Sequence, residues 1–382
     1  MEQQEKRINV VYIIGKFGIG GIETLIYKMA RHLDRRFFYP TIIGLNDYVD
    51  KVTEDQIISS LTKEDIEVLK LSGSTKNHRL QKILFIRKNL RGRKNVVIHT
   101  NSDIVNTVMA TWKMKIPLVN TYHSGIGWSK KDRITYKIFM QKRFKKIVAV
   151  SNSVKQAIEK TVGIEASKIK VIYNGIEIEK FNANPKIMQV NQNNKVKLIC
   201  VGRLAKEKGF EYLLEALRHV NSNLTLYIVG DGDLREELNE FVVKNKLEKE
   251  VMFLGAIDND QIPKILWSAD IYVMPSLYEG FSVSLIEAMA AGKPVLISNI
   301  APFREMLGID CMNSQSNYFP TDYGVMFKAG DSVSLFNAIE WMLDNKDKWE
   351  EFGKNSYERA KIFDISKTVR EYEQIYKEIV KL

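Results

Sequence analysis

The feature that most limits what this chain can fold into is an alternation of short β-branched runs with helical patterns, played through twice. Runs at 8–14, 41–45, 67–71, 96–98, 118–122 and 148–150 are separated by helical patterns at 22–33, 54–61, 79–90 and from Asp103 onward. The first, INVVYII, hardly alternates between polar and apolar residues, as a strand buried on both faces would not. Strand and helix in turn predict a parallel, doubly wound sheet whose ligands lie beyond the carboxyl ends of the strands. The pattern breaks at NANPKIMQVNQNNK, 182–195, which is rich in Asn and carries Pro185, and then resumes. Strands are predicted at 198–202, 224–229, 251–255, 271–274, 295–298 and 323–327, with helices at 210–220, through LREELNEFV, at 333–343 and at 365–380. A chain of 382 residues exceeds what one core supports. We therefore expect a first domain over 1–181, a linker over 182–195, a second domain over 196–364 and a closing helix over 365–382.

Charge narrows the partners. A net charge of +11 points to nucleic acid, anionic lipid or phosphorylated small molecules. No zinc-finger spacing, RNP-like aromatic strand or basic zipper is present, so nucleic acid is not expected. Cys200 and Cys311 are too few for a disulfide framework or a thiolate metal site and fit a reducing cytoplasm. No apolar run nears the ~18 residues of a membrane span, and MEQQEKRINV has no signal-peptide core. The segment 130–146, KKDRITYKIFMQKRFKK, sets eight basic residues against Asp132 alone. It reads either as an amphipathic helix for an anionic membrane surface or as a solvated helix packing its apolar stripe on the sheet.

Chemistry gathers at the predicted strand ends. In PSLYEGFSVSLIEAMAAGKP, 275–294, Ser282 is placed to cap a helix that stops at Gly292 and is apolar almost all round, hence buried. Glu287 lies one turn inside it, with its side chain leaning back to the helix mouth, and Glu279 lies eight positions earlier. Backbone amides at Phe281, Ser282 and Val283 favour an anion there. A ligand with phosphates at one end and sugar hydroxyls at the other fits both facts, although a first-turn Glu is also what the helix dipole alone favours. Arg203, Lys206 and Lys208 crowd another helix start, which is unfavourable unless an anion binds or water solvates them. Gly15, Gly18, Gly20 and Gly21 follow the first strand and either admit a phosphate or sugar or allow tight packing. They do not form the dinucleotide fingerprint G-x-G-x-x-G, which argues against an NAD-dependent oxidoreductase. Asp231 and Asp233 form a D-G-D that reads as a metal pair or, better, as a turn with an Asp helix cap.

Three phrases then carry a resemblance. E-G-F-S-x-x-x-x-E with A-x-A-x-G-x-P, G-R-x-x-x-x-K-G and T-Y-H-S-G resemble the retaining glycosyltransferases of family 4, which have the GT-B fold of two Rossmann-like domains facing across a cleft. VSNSVKQAI, VIYNGIE and a G-D-G-P-like turn, with Asp233 in place of Pro, agree, and GGIETLIYKMARHLD is similar to capsule and exopolysaccharide members. The resemblance implies that Glu279, with the Gly280 and Phe281 amides, orients the donor sugar and that Glu287 holds the ribose. It gives Arg203 and Lys208 the diphosphate, His123 a contact to the sugar, and Gly202, Gly230, Ala256 and Ile257 places along the nucleotide. His99 is a candidate acceptor contact. The implied substrates are a nucleoside diphosphate sugar, expected to be a UDP-sugar, and a hydroxyl of a lipid-linked cell-surface glycan. Neither a cofactor nor a metal is implied, and the last helix of such proteins returns to the first domain. A nucleotide-sugar epimerase of the same fold and a non-catalytic sugar-nucleotide-binding subunit are the alternatives.

Overall fold

The computed structural model describes residues 7–73, 78–124, 137–139, 141–182, 195–220, 223–310 and 317–380. The chain divides into two units, Met1–Gly175 with Ile365–Leu382, and Ile176–Asp364.

In the first unit the chain runs β1 Ile8–Ile14, α1 Gly21–His32, β2 Phe38–Gly44, α2 Lys51–Lys63, β3 Glu67–Lys70, α3 Arg79–Leu90, β4 Val96–Thr100, α4 Ile104–Thr111, β5 Leu118–Tyr122, β6 Phe144–Ala149, α5 Asn152–Val162 and β7 Ile169–Val171. The strands form one parallel sheet in the order β3-β2-β1-β4-β5-β6-β7. The order reverses between β1 and β4, so the connections diverge there and leave a crevice at the carboxyl ends. β1 is buried along almost its whole length, which is why its sequence does not alternate. The last helix, Ile365–Val380, belongs to this unit. Its stripe of Ile365, Val369, Tyr372, Ile375 and Tyr376 is buried in a cluster with Val10, Tyr12, Ile26, Phe38, Val97 and Val119. Each such side chain contributes about 1.5–3 kcal/mol on burial.

The second unit runs β8 Val196–Val201, α6 Phe210–Leu217, β9 Leu224–Val229, α7 Arg235–Lys244, β10 Val251–Gly255, α8 Ile262–Ser268, β11 Ile271–Met274, α9 Val283–Ala290, β12 Val295–Ser298, α10 Ala301–Leu307, β13 Tyr318–Thr321, β14 Gly324–Phe327, α11 Ser332–Asp344 and α12 Trp349–Ala360. The helix Ile365–Val380 is thus α13. The sheet order is β10-β9-β8-β11-β12-β14-β13, parallel except where β13 pairs antiparallel with β14. Its reversal falls between β8 and β11.

Several expectations are corrected. β6 starts at Phe144, so Phe144, Lys145 and Lys146 leave the proposed basic helix and Phe144 enters the core. Residues 137–139 and 141–143 are helical, and the rest of 130–143 lies outside the described residues. Most of the 182–195 segment lies outside them as well; the change of unit comes earlier, between Gly175 and Ile176. The turn Ile178–Phe181 is held in the second unit, where the Trp267 indole donates to the Phe181 carbonyl at 3.1 Å. Asp233 caps no helix: α7 begins two residues later, at Arg235, with Leu234 in the cap position. β13 and helices α8, α10 and α12 were not anticipated. Pro320 makes β13 read as a loop, and Pro is tolerated there because β13 is an edge strand. Gly353 makes α12 read as broken, yet a Cβ there would stand 2.3 Å from the Gly292 carbonyl, so only glycine lets α12 settle on the end of α9.

Candidate active site

The predicted donor residues of the second unit follow β8, β9, β10 and β11, and the two loops that flank the reversal of the sheet are stitched together. After β8, the Gly202 amide donates to the Val229 carbonyl at 2.9 Å. Gly230 takes φ +132°, and a Cβ on it would meet the Gly202 carbonyl oxygen at 1.9 Å. The loop then makes a tight turn at Lys206–Lys208 and ends on Gly209 in the left-handed region, φ +64°, with a Cβ position 2.3 Å from the Pro275 carbonyl oxygen. Only glycine fits both the dihedral and the gap. From the other side, the Leu277 and Tyr278 amides both donate to the Glu207 carbonyl, at 2.9 and 3.3 Å.

This stitching places Lys208 against Glu279. The Lys208 ammonium donates to Glu279 Oε1 at 2.5 Å, and the Ser276 hydroxyl donates to the same oxygen at 2.9 Å. Glu279 is 8% exposed and Ser276 fully buried. A carboxylate so withdrawn from water requires partners, and here they are a cation and a hydroxyl. Beneath the pair, burial pushes the Cys200 thiol up to about 12. Burial also raises the Tyr272 phenol well above its ordinary value, with Cys200, Glu279 and Glu287 all adding to the shift. The Tyr272 hydroxyl donates to Ser284 Oγ at 2.9 Å. Glu287 is half-buried one turn into α9, and Ser282 caps that helix by accepting from the Leu285 amide at 3.2 Å. Gly280 and Phe281 are buried beside it, the Phe281 ring standing edge-on to Phe363 at 5.6 Å.

Arg203 is placed differently. It is exposed and paired with Glu207 four residues on, at the rim. Gly255, φ +73°, receives the Gly230 amide at 2.8 Å and so ties the β9 and β10 turns, with Ala256 exposed and Ile257 half-buried just beyond. Among the described residues, no group of three or more His, Cys, Asp or Glu is placed to hold a metal ion.

In the first unit the glycine loop is partly explained by its own packing. A Cβ on Gly18 would meet the Tyr48 ring at 2.9 Å and one on Gly20 the Glu23 carboxylate at 2.4 Å, whereas nothing lies within 4 Å of Gly21. His123, just past β5, has Nε2 2.8 Å from Asn101 Oδ1. An amide oxygen accepts, so Nε2 carries the proton and Nδ1 is left with its lone pair. Burial pushes this imidazole down to about 4, so it is neutral at pH 7.

His99 is corrected from a candidate acceptor contact to a core residue. It lies within β4, fully buried, with Nδ1 2.6 Å from the Tyr376 hydroxyl and Nε2 2.8 Å from Thr121 Oγ1. Thr121 Oγ1 in turn lies 2.9 Å from the Tyr372 hydroxyl. The ring packs at 5.0 Å on Tyr372 and 5.9 Å on Tyr376, so this histidine joins α13 to the sheet. Sequence reasoning missed Ser276, Glu207 and Asn101. A Ser three residues before an acid in the turn after a strand was a usable signal for the first; Glu207 and Asn101 gave none.

Comparison with known proteins agrees with this architecture. Residues 19–180 match the family model described as Glycosyltransferase Family 4, and residues 184–359 match that described as Glycosyl transferases group 1. An uncharacterized glycosyltransferase of Methanocaldococcus jannaschii is 31% identical over 231 residues, a match spanning 55% of this chain and 59% of the archaeal protein. The UDP-Gal:alpha-D-GlcNAc-diphosphoundecaprenol alpha-1,3-galactosyltransferase of Escherichia coli is 28% identical over 324 residues, 79% of this chain and 78% of its own. In fold, the chain is similar to Anabaena HepE, solved in complex with UDP-glucose, with a TM-score of 0.81 at 20% identity over 97% of this chain and 100% of that one. With both units matched by models of this family and two parallel Rossmann-like sheets in its structure, the chain belongs to the family 4 glycosyltransferases, of the GT-B fold.

Proposed function

We propose that this glycosyltransferase moves a sugar from a UDP-sugar to a hydroxyl of a lipid-linked glycan, with retention at the anomeric carbon and without a metal ion. The observation that carries the reading is the Lys208–Glu279 pair at the reversal of the second sheet. A pyrophosphate arriving there competes with Glu279 for the Lys208 ammonium, and Glu279, still held by Ser276, turns its freed capacity to the sugar hydroxyls. Arg203 exchanges Glu207 for the same anion. Glu287 takes the ribose, and Ala256 and Ile257 flank the base. His123 keeps the role that the family resemblance gives it, a neutral contact to the sugar.

In the step itself the acceptor oxygen forms a bond to the anomeric carbon as the bond from that carbon to the diphosphate oxygen breaks. The hydroxyl proton passes to the departing diphosphate on the same face. Fixed cations and backbone dipoles stabilise the charge that develops on the leaving group. The choice of UDP and of a lipid-linked acceptor is supported by the E. coli relative, whose name states both a UDP-sugar and a diphosphoundecaprenol acceptor, and by a Campylobacter jejuni relative named for a diphospho-undecaprenol acceptor. Those names do not favour an epimerase or a non-catalytic subunit. In this reading the enzyme meets such an acceptor at the cytoplasmic face of a membrane, with an anionic surface as a further partner and no role for nucleic acid.

A panel of UDP-, GDP- and other nucleotide sugars, scored by thermal shift and then by transfer to a lipid-linked acceptor, tests the reading. A donor at 100 times its Kd stabilises the fold by about 2.7 kcal/mol. If no nucleotide sugar raises the unfolding temperature, the proposed site is wrong.

A further inference from the structure

The net charge of the chain is local. Between residues 78 and 147 there are seventeen Lys and Arg against two acids, Asp103 and Asp132, an excess of +15, so the other 312 residues together carry −4. The same region leaves large apolar side chains in water. On α3 the inward stripe is Ile83, Ile86 and Leu90, while Leu80 and Leu84, one turn apart on the outer face, are 68% and 53% exposed. On α4 Val108 and Ala110 point inward, whereas Met109 is 41% exposed and Trp112, just past the helix end, 51%.

These side chains belong to one surface. Arg87, three residues after Leu84, reaches from α3 to the Ala110 and Met109 carbonyls at 2.9 and 3.2 Å. Arg143 approaches from the other side and donates to the Thr111 carbonyl at 3.1 Å. The Trp112 ring meets Phe139 edge to face at 6.2 Å. Exposed Lys88 follows Leu84 by one helical turn, exposed Lys113 and Lys115 follow just after Trp112, and exposed Lys137 and Lys142 bracket Phe139 in the chain. None of it takes part in the cluster that α1 and α13 form on the sheet.

We propose that this ridge is where the first unit meets an anionic bilayer, with Leu80, Leu84, Met109 and Trp112 entering the interface and the lysines lying on lipid headgroups. It rests on the membrane-facing reading of the acceptor above and supplies the surface that reading lacked. The pairing of protruding apolar groups with neighbouring exposed lysines is that of interfacial anchors. A second copy of the chain is a poor occupant, because a symmetric contact would press the positive patch on itself. Nucleic acid would leave the ridge without an apolar partner.

The test is cosedimentation of the full chain with vesicles of phosphatidylcholine alone or with phosphatidylglycerol. The native protein is expected on the anionic vesicles only and to be released in about 0.5 M salt, where charges are screened within a few ångströms. Lys113→Gln/Lys115→Gln should weaken binding about 25-fold, roughly fivefold per charge. Leu84→Ser/Trp112→Ser should weaken it at least tenfold (order of magnitude) through the apolar contacts. All four positions are exposed, so donor-induced thermal shift and transfer to a water-soluble acceptor should be unchanged in both variants, and those two measurements report on the transferase reading alone. Absence of the native protein from anionic vesicles, equal binding to neutral ones, full binding by both variants, or conversion of a dimer to a monomer by Leu84→Ser/Trp112→Ser would each overturn the proposal.

Discussion

The two sheets share a strand order about their reversal points, β2-β1-β4-β5 in one and β9-β8-β11-β12 in the other, yet they dress it oppositely. At the second, a half-buried lysine and a buried carboxylate face each other between two stitched loops. At the first, a glycine loop, Asn101 and a neutral histidine stand in the corresponding place. The architecture supplies a crevice in both cases, and side chains decide what enters it. Fixed charge suits a pyrophosphate, which can outbid an internal ion pair. Uncharged donors and acceptors suit hydroxyl groups, which cannot.

The sharpest way to break this contrast is to remove the charge from the second site. Lys208→Ala should lower kcat/KM by about 10²–10³-fold, the usual loss for one fixed donor to a developing anion. It should also destabilise the second unit by about 3 kcal/mol, because Glu279 is left buried without its cation. Glu279→Gln in the Lys208→Ala background should recover stability and not activity. Equal transfer by Lys208→Ala and the native enzyme would mean that the pair is structural.

Within the first unit, the contrast between His99 and His123 predicts a stability effect at one and not at the other. His99→Ala removes a buried ring and takes the imidazole partner from the Tyr376 and Thr121 hydroxyls, an expected cost of about 3 kcal/mol in denaturant unfolding. Tyr376→Phe should cost about 1–2 kcal/mol. His123→Ala, half-buried with one partner, should cost under 1 kcal/mol (about) and act on transfer instead. If His123→Ala unfolds the unit as His99→Ala does, the assignment of the two histidines is reversed.

That pair also shows how far the sequence could be read. Period and β-branching were enough to foresee β1, α3, β5, β9, β10, β11, β12 and α13, since these elements are governed by burial on one or both faces. The two histidines look alike in sequence, each at the end of an apolar run. What separates them is α13, whose tyrosines arrive from more than 250 positions away, a contact that no local pattern encodes. The Lys208–Glu279 pair was invisible for the same reason: 71 positions separate its members, and Gly209 against Pro275 brings them together. Residues that the family resemblance pointed to are thus gathered by backbone contacts that the resemblance does not describe.

A smaller effect follows from protonation. Burial lowers His99 to about 3 and His123 to about 4 in the folded chain, against about 6.5 when unfolded. The unfolded state therefore binds more protons between those values. Stability is complete above pH 6.5 and is lost as pH falls toward the folded values, at up to about 1.4 kcal/mol per pH unit for each histidine. Measured between pH 5 and 6.5, above the carboxylate range, the slope should fall by about half in His99→Gln. Transfer should show no inflection near pH 6.5, because a neutral His123 has nothing to titrate there; an inflection that His123→Gln abolishes would place a protonated imidazole in the first site.

The smallest expected effect is none. Asp231 and Asp233 follow β9 at the edge of the charged site, where an acid pair would be the natural ligand of a divalent ion holding a diphosphate. In the structure Asp231 Oδ1 accepts from the Gly232 amide at 2.8 Å, the hydrogen bond of a turn. A Cβ on Gly232 would sit 2.4 Å from the Leu204 carbonyl oxygen, so the turn is pressed onto the loop that carries Lys208, and its glycine has a packing reason independent of any ligand. If Lys208 and Arg203 neutralise the leaving group, Asp233→Asn should change kcat/KM by less than about twofold, and chelation with EDTA should leave the rate unchanged. Loss of activity in EDTA, restored by a divalent cation and insensitive to Lys208→Ala, would transfer the work of the ammonium to a metal and remove the physical basis of the contrast between the two sheets.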